Sequence, residues 1–426
     1  MAAIESRPPL HILLTGATGA VGCEIARWLR LHAPQARLTA LVRASSEREL
    51  RSRWRAVLRS AGWEQPGAHE LRERWTPLRG DVTLPQLGAR RAELARLRRE
   101  VTHIVHAAAD IRFLAPLEES RLVNTLGTRR VLELAARCPR LESLAHVSTI
   151  FVAGRRTGRI LEDELEHEAG FVSPYEQSKY EAEQLARAAM EGIPLSIYRL
   201  ALLPGRASDG YVHQFGAFHR LLSYYERGLL ETLPGARRNR VDLAPTDWAA
   251  DVLMQLFLRH FQARRTYHVC SGESAVSLAE FVALTSEHVG ALGRPGAALP
   301  PLRLVRPAAY EKFLQRAAQS SAPGAEKLIG VVRTTTPHAV LSKVFDRRAV
   351  EACLGPAAAA PAFADWFPRI VRYGCERNWG RDENLSRSRG TTAAPRVPRP
   401  ADCRSDPARL RVPAAAVRSP SGQSGA

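Results

Sequence analysis

The chain has 426 residues, 45% of them hydrophobic and 24% charged, which fits one large α/β domain with an appendage, or two domains, and excludes a collagen, a coiled coil or a bare peptide module. No apolar run approaches the roughly 18 residues that would span a bilayer, so no transmembrane segment is expected. The formal charge is +18, from 61 basic and 43 acidic residues, and all the basic residues except Lys179, Lys312, Lys327 and Lys343 are arginine.

Such a surface favours anionic ligands: phosphates, coenzyme A or an acidic carrier protein. No nucleic-acid recognition motif accompanies it, so no specific nucleic acid is expected. Cys23, Cys138, Cys270, Cys353, Cys375 and Cys403 form no CxxC pair and no zinc spacing, and the opening MAAIESRPP lacks an apolar signal region. A reduced, cytoplasmic protein without a metal is the expectation.

In chain order, residues 10–15 (LHILLT) read as a strand that stops at Gly16, and CEIARWLRLH after Gly22 has helical spacing. Further strands are predicted at 38–42, 101–106, 144–148 and 195–200, alternating with helices around 121–137 and 176–191. Alternation of this kind predicts a doubly wound parallel sheet covered on both faces. The Arg-rich stretch 45–75 carries Leu50, Trp54, Val57 and Leu58 at helical spacing and reads as a solvated helix with one packed face.

Residues 204–235 concentrate Tyr211, Phe215, Phe218, Tyr224 and Tyr225, which suits either a substrate-facing segment or a helix packed on the core. Pro245 and Asp247 open a helix, 267–269 reads as a strand in which His268 is structural, and 363–379 as a closing amphipathic helix. From 381 onward Arg, Pro, Ser, Ala and Gly take over, the composition of a disordered tail. The expected organisation is a nucleotide-binding domain at 1–275 with 201–235 inserted on the substrate side, a smaller helical substrate lobe at 276–380, and a basic tail at 381–426.

The chemistry starts at Thr15-Gly16-Ala17-Thr18-Gly19-Ala20-Val21-Gly22, between strand and helix. There Gly16 permits a tight turn, Gly19 lets a pyrophosphate approach, and Gly22 lets helix and strand pack. Arg43 ends the second strand, where an arginine accommodates a 2′-phosphate and an acid would select NAD; NADPH is therefore the expected cofactor, the other reading being one more surface arginine. Asp81-Val82 follows a short strand, and Ala107-Ala108 opens a strand end with small side chains that leave room for a cofactor.

Ser148-Thr149 lies just past a strand, and Tyr175-x-x-Ser178-Lys179 starts a helix with Tyr and Lys on one face. A carbonyl receiving hydride needs a proton donor at its oxygen. Tyrosine serves if a cation such as Lys179 stabilises its phenolate, and Thr149 or Ser148 adds a hydrogen bond. Taken together, LTGATGAVG, LVRAS, GDVTLPQLG, HAAADIRF, NTLGTRRVLELA, HVSTIFVAG, PYEQSKYEAE and VDLAPTDWAAD resemble the extended short-chain dehydrogenases/reductases over residues 10–270. More narrowly they resemble the branch of fatty acyl-CoA reductases and thioester-reductase domains.

That resemblance implies Thr149, Tyr175 and Lys179 as catalytic residues. It also implies Gly16, Gly19, Gly22, Arg43, Asp81 and Ala107 around the cofactor, and an acyl-CoA or acyl-carrier-protein substrate reduced to an aldehyde or alcohol. Ala20-Val21 departs from the larger Phe-Leu pair usual there. The alternatives are a nucleotide-sugar epimerase or dehydratase on the same fold, or a catalytically silent cofactor-binding protein. Acyl length and oligomeric state are not legible.

Overall fold

The structure of the chain, a computed structural model, describes residues 10–63, 74–292, 299–319 and 325–381. β1 (His11–Thr15) is buried at every position and turns into α1 (Ala20–His32), whose Ile25, Ala26 and Leu29 pack on the sheet. β2 (Arg37–Val42), α2 (Glu47–Ser60), β3 (Trp75–Arg79), α3 (Arg91–Glu100) and β4 (His103–His106) repeat the alternation. Ser46 caps α2 by accepting from the Glu49 amide, and the Leu50, Trp54, Val57, Leu58 stripe is the packed face that its spacing predicts. Residues 64–73 of that Arg-rich stretch lie outside the described residues.

α4 (Leu117–Ala135), β5 (Ser143–Thr149), β6 (Gly158–Ile160), α5 (Pro174–Ala189) and β7 (Leu195–Leu200) follow, then α6 (Ala217–Glu226), β8 (Thr232–Pro234), β9 (Arg240–Val241), α7 (Thr246–Leu258) and β10 (Thr266–Val269). Seven strands form one sheet in the order β3-β2-β1-β4-β5-β7-β10, every pair parallel; Ile12 faces Leu38 on one side and His103 on the other. The doubly wound, Rossmann-like sheet expected from the alternation is what forms. Its strand order reverses between β1 and β4, and the crevice beyond their carboxyl ends is where such sheets bind ligands.

Beyond the sheet come β11 (Val276–Ser277), α8 (Leu278–Leu292), β12 (Arg303–Val305), α9 (Pro307–Ala318), α10 (Ala325–Val340), β13 (Lys343–Phe345), α11 (Arg348–Leu354) and α12 (Phe363–Glu376). A second core joins Phe218 and Tyr225 of α6 with Phe281 of α8, Val332 of α10 and Phe367 of α12. Each such fully buried side chain contributes roughly 1.5–3 kcal/mol. Tyr211 and Phe215 pack on Tyr373 of α12, so the aromatics of 204–235 serve mainly this core. β13 pairs with β6, and Val350 of α11 packs in the sheet's own core, so 343–358 leans on the sheet. The described residues fall in one compact unit; the predicted tail beyond Arg381 lies outside them.

Candidate active site

The glycine turn lies at the switch point. Gly16 has φ +73°, and a Cβ there would stand 2.5 Å from the Ala107 carbonyl and 2.6 Å from the Ala108 nitrogen, so only glycine lets the β4 loop close on the turn. At Gly22 a Cβ would meet the Gly16 oxygen at 2.2 Å. Gly19 differs: the nearest atom to its would-be Cβ is the Gly16 oxygen at 3.4 Å. It caps α1 without a side-chain hydrogen bond. The amides that open α1, from Ala20 and Val21 onward, thus point at a small open cradle, which fits the pyrophosphate of a dinucleotide.

Thr15 ties the two loops together. Its hydroxyl accepts from the Ala108 amide at 3.2 Å and lies 2.7 Å from Nδ1 of His106, whose Nε2 reaches the Thr128 hydroxyl at 3.0 Å. Thr18 offers its carbonyl to Nε2 of His213 at 2.9 Å, which pins the segment after β7 to the turn. Arg43 is exposed beyond the end of β2 and makes no hydrogen bond or ion pair with the described residues. Asp81 accepts from the Thr83 amide at 2.8 Å, and Val82 packs where a Gly127 side chain would have to go.

Tyr175 is the second helical residue of α5, set by the Ser173 cap and Pro174. Burial pushes its phenol up to about 12, the Thr149 hydroxyl opposes this by a hydrogen bond, and the Glu176 and Asp110 carboxylates add to it. Lys179, one turn on, donates from Nζ to the Val147 carbonyl at 2.8 Å. Burial brings it down to about 8, with the Glu183 carboxylate opposing. The sequence suggested that Lys179 lowers the Tyr175 pKa; in the structure it is the Thr149 hydroxyl that does so.

Of the two hydroxyls after β5, Ser148 donates to Glu183 at 2.7 Å and faces away from the phenol, whereas Thr149 sits at the strand end beside it. The alternation of side chains along β5 separates them.

Sequence reasoning missed several residues. Asn124 on α4 accepts from the Asp110 amide at 2.7 Å and donates to the Ser178 hydroxyl at 2.8 Å, fixing α5 to the β4 loop. Phe113 packs on Tyr175 at 5.1 Å between ring centroids and on Phe151 at 6.0 Å, and Phe151 meets His338 of α10 at 4.6 Å. Nε2 of His338 stands 2.9 Å from the fully buried Glu176 carboxylate. Asn124 lay within the quoted NTLGT motif and was readable there; His338 lies 163 positions beyond Tyr175, and no spacing rule connects them.

A parallel doubly wound sheet, a glycine turn at its switch point and a Thr/Tyr/Lys set beyond β5 define an extended short-chain dehydrogenase/reductase. Residues 14–253 match the Male sterility protein family, an NAD-binding family. The chain belongs to it, in the thioester-reductase branch, and is an NAD(P)-dependent oxidoreductase. It is similar to the crystal structure of the terminal R domain from the myxalamid PKS-NRPS biosynthetic pathway, with 28% identity and a TM-score of 0.73 over 88% of this chain and 92% of that one.

Among curated proteins it is 28% identical over 325 residues to the non-canonical nonribosomal peptide synthetase FrzA of a Cladobotryum species, a match covering 73% of this chain and 30% of that protein. It is 27% identical over 299 residues to the carboxylic acid reductase of Segniliparus rugosus, covering 64% and 25%. The chain thus spans less than a third of the length of these two relatives. No described helix is long and apolar enough to cross a membrane.

Proposed function

We propose that the chain transfers hydride from NADPH to the carbonyl of an acyl thioester, carried on coenzyme A or an acyl-carrier protein, giving an aldehyde. The observation that carries this reading is the buried Tyr175, close to Thr149 and packed on Phe113, which in turn meets Phe151, beside a cradle suited to a dinucleotide. Thr15, Gly16, Thr18, Gly19, Ala20, Val21 and Gly22 would hold the pyrophosphate, Asp81, Val82, Ala107 and Ala108 the adenosine side, and Arg43 the 2′-phosphate. The bound nicotinamide supplies the hydride.

The residues of the chain do the rest. At neutral pH a phenol pushed up to about 12 is protonated, so Tyr175 can donate its proton as charge develops on the carbonyl oxygen. Thr149 adds a hydrogen bond to the same oxygen, in a site from which the aromatic wall excludes water. The Lys179 ammonium, held by the Val147 carbonyl, would as the resemblance implies hold the nicotinamide ribose. Collapse of the resulting hemithioacetal expels the thiol and leaves the aldehyde, which a second round would take to an alcohol if it stays bound. The free thiols of Cys23, Cys138 and Cys270 suit a reducing cytoplasm.

The apolar wall argues against a nucleotide sugar, whose hydroxyls would face Phe113 and Phe151 unpaired. NADPH oxidation measured against panels of acyl-CoA and acyl-carrier thioesters tests the proposal. Consumption with thioesters supports it; tight binding of a nucleotide sugar with retained NAD and no thioester turnover would replace it.

A further inference from the structure

The segment that joins β7 to α6 is fastened at several points and meets the glycine turn through one side chain. Arg206, 6% exposed, pairs with Glu24 of α1 and donates to the Ser60 carbonyl at 3.2 Å. Asp247 of α7 accepts from the Ala207 and Ser208 amides at 2.9 and 3.1 Å. Tyr211 lies under the Arg206 guanidinium and against Tyr373 of α12. So held, the segment places Nε2 of His213 2.9 Å from the Thr18 carbonyl, one residue before Gly19 and its open cradle.

The hydrogen bonding of that imidazole is incomplete. A carbonyl only accepts, so Nε2 carries the hydrogen, and in the neutral ring Nδ1 is then a bare acceptor. Nδ1 is buried and has no hydrogen-bond partner among the described residues. Burying an unpaired acceptor is costly, and a residue that served only to pin the segment would gain nothing from it. Protonation turns Nδ1 into a donor and charges the ring, and an anion at the adjacent turn favours both changes.

We propose that His213 is a cofactor-binding residue: it takes up a proton as the pyrophosphate of the dinucleotide settles on the glycine turn, and its imidazolium offers the phosphates a charge while Nε2 keeps its hold on Thr18. This rests on the placement of the dinucleotide made above.

Without cofactor the ring is neutral at pH 7. Burial lowers it from 6.5, the Thr18 carbonyl opposes this, and Arg206 adds to the lowering. The Arg206 charge is met by Glu24 and, at 3.4 Å, by Asp209, so a second cation can form nearby. Tyr211, its ring centroid 6.3 Å from that of His213, is pushed up and stays uncharged, as does Cys23 of α1, pushed up to about 11. Asp247 is occupied by backbone amides, and Arg369 of α12 by the Ala207 and Asp365 carbonyls. A phosphate within hydrogen-bond range raises an imidazole by about 1–3 units, which carries His213 from neutral to largely protonated near pH 6.5. Protons and cofactor then strengthen each other's binding equally, and affinity falls as the pH rises through the raised value.

Calorimetric titration of the full chain with NADPH at pH 6.5, in buffers of low and high ionisation enthalpy, counts the protons bound. Uptake by the wild-type chain should exceed that of His213→Gln by roughly half a proton; uptake at the 2′-phosphate is common to both and cancels. Glutamine keeps a donor for the Thr18 carbonyl and cannot ionise, so it separates the pin from the charge. NADPH affinity in His213→Gln should fall about tenfold at pH 6.5 and match wild type at about pH 9. His213→Lys, charged at both pH values, should bind more tightly than His213→Gln at each, with no excess uptake.

A folded His213→Gln chain with wild-type uptake, whatever its melting temperature, overturns the proposal, as does a His213→Lys chain that binds no better than His213→Gln. Binding alone is read, so a chain that takes up NADPH with this proton and reduces no thioester would refute the proposed function and keep this inference. A chain that binds no dinucleotide would refute the placement of the cofactor and this inference with it.

Discussion

Gly16 and Gly19 make opposite predictions when each is replaced by alanine. At position 16 the backbone has φ +73° and the new methyl would lie 2.5 Å from the Ala107 carbonyl. The left-handed conformation costs an alanine about 1–2 kcal/mol, and the overlap, which backbone atoms cannot relieve by a rotamer change, adds about 1–3 kcal/mol. A loss of about 2–5 kcal/mol lowers the melting temperature by on the order of 2–6 °C in a chain of this size.

At position 19 the backbone is extended, φ −90° and ψ 169°, and the methyl meets protein no closer than 3.4 Å. The reduced freedom of the unfolded chain gains about 0.4–1 kcal/mol, and the poorer helix cap loses a similar amount, so stability should hardly change. The methyl then stands where a pyrophosphate would accept the amides of α1. Loss of such a charge-assisted hydrogen bond costs about 1.5–3 kcal/mol, one to two decades in affinity. Thermal unfolding without ligand and fluorescence titration with NADPH read the two effects separately. Wild-type NADPH affinity in Gly19→Ala would refute the placement of the phosphates, and a Gly16→Ala chain as stable as wild type would refute the steric argument.

Arg43→Asp should weaken NADPH by about one to two decades and leave NADH nearly unaffected; equal affinity of the unmutated chain for both cofactors by titration would defeat the 2′-phosphate assignment. Thr149→Val should lower turnover by about 10- to 100-fold with cofactor affinity retained, whereas Ser148→Ala, which strips one oxygen of buried Glu183 of its donor, should lose more stability than turnover; the reverse ranking in parallel kinetics and melting would exchange their roles. His338→Ala removes the ring packed on Phe151 and should raise KM more than it lowers kcat, which saturation curves decide.

Stability should also fall as pH drops below about 6.5. Burial holds His11, His103, His106, His146, His213, His219 and His268 below their ordinary value, so the unfolded chain takes up protons there that the folded one refuses. Glu24, Glu162 and Asp242 are pushed up and work in the other direction, but they are fewer. Urea midpoints that rise between pH 7 and pH 5 would contradict this.

The sheet was legible because its signals are local. LHILLT followed by a glycine turn, and LSIYRL bounded by a polar helix, can only be buried strands, and β1 and β7 fall where those runs lie. The glycine turn and the Tyr/Lys helix were legible for the same reason, each being a short spacing rule.

Contacts that depend on the chain returning from far away were not legible. His338 reaches Glu176 only because α10, packed on the second core through Val332, comes back to the start of α5, and Glu183 meets Arg199 only because β7 lies beside β5. The choice between Ser148 and Thr149 needed the pleat of β5 and the buried carboxylate behind it. The aromatic segment 204–235 was open between two readings because a 7% aromatic chain uses the same residues for a core as for a substrate wall. The second core, with Phe218 and Tyr225 inside it, accounts for most of that segment.

The central claim is that hydride reaches a thioester carbonyl while Tyr175 supplies the proton. Its most direct test is a single-turnover reaction of the chain with NADPH deuterated at the transferable position of the nicotinamide and the thioester that the panels select. Mass spectrometry of the aldehyde, or of the alcohol where reduction continues, should find the label on the former thioester carbon. Tyr175→Phe should slow its appearance by about 10²–10⁴-fold while NADPH still binds. Product without label, or label appearing at the wild-type rate in Tyr175→Phe with chemistry rate-limiting, would contradict the account.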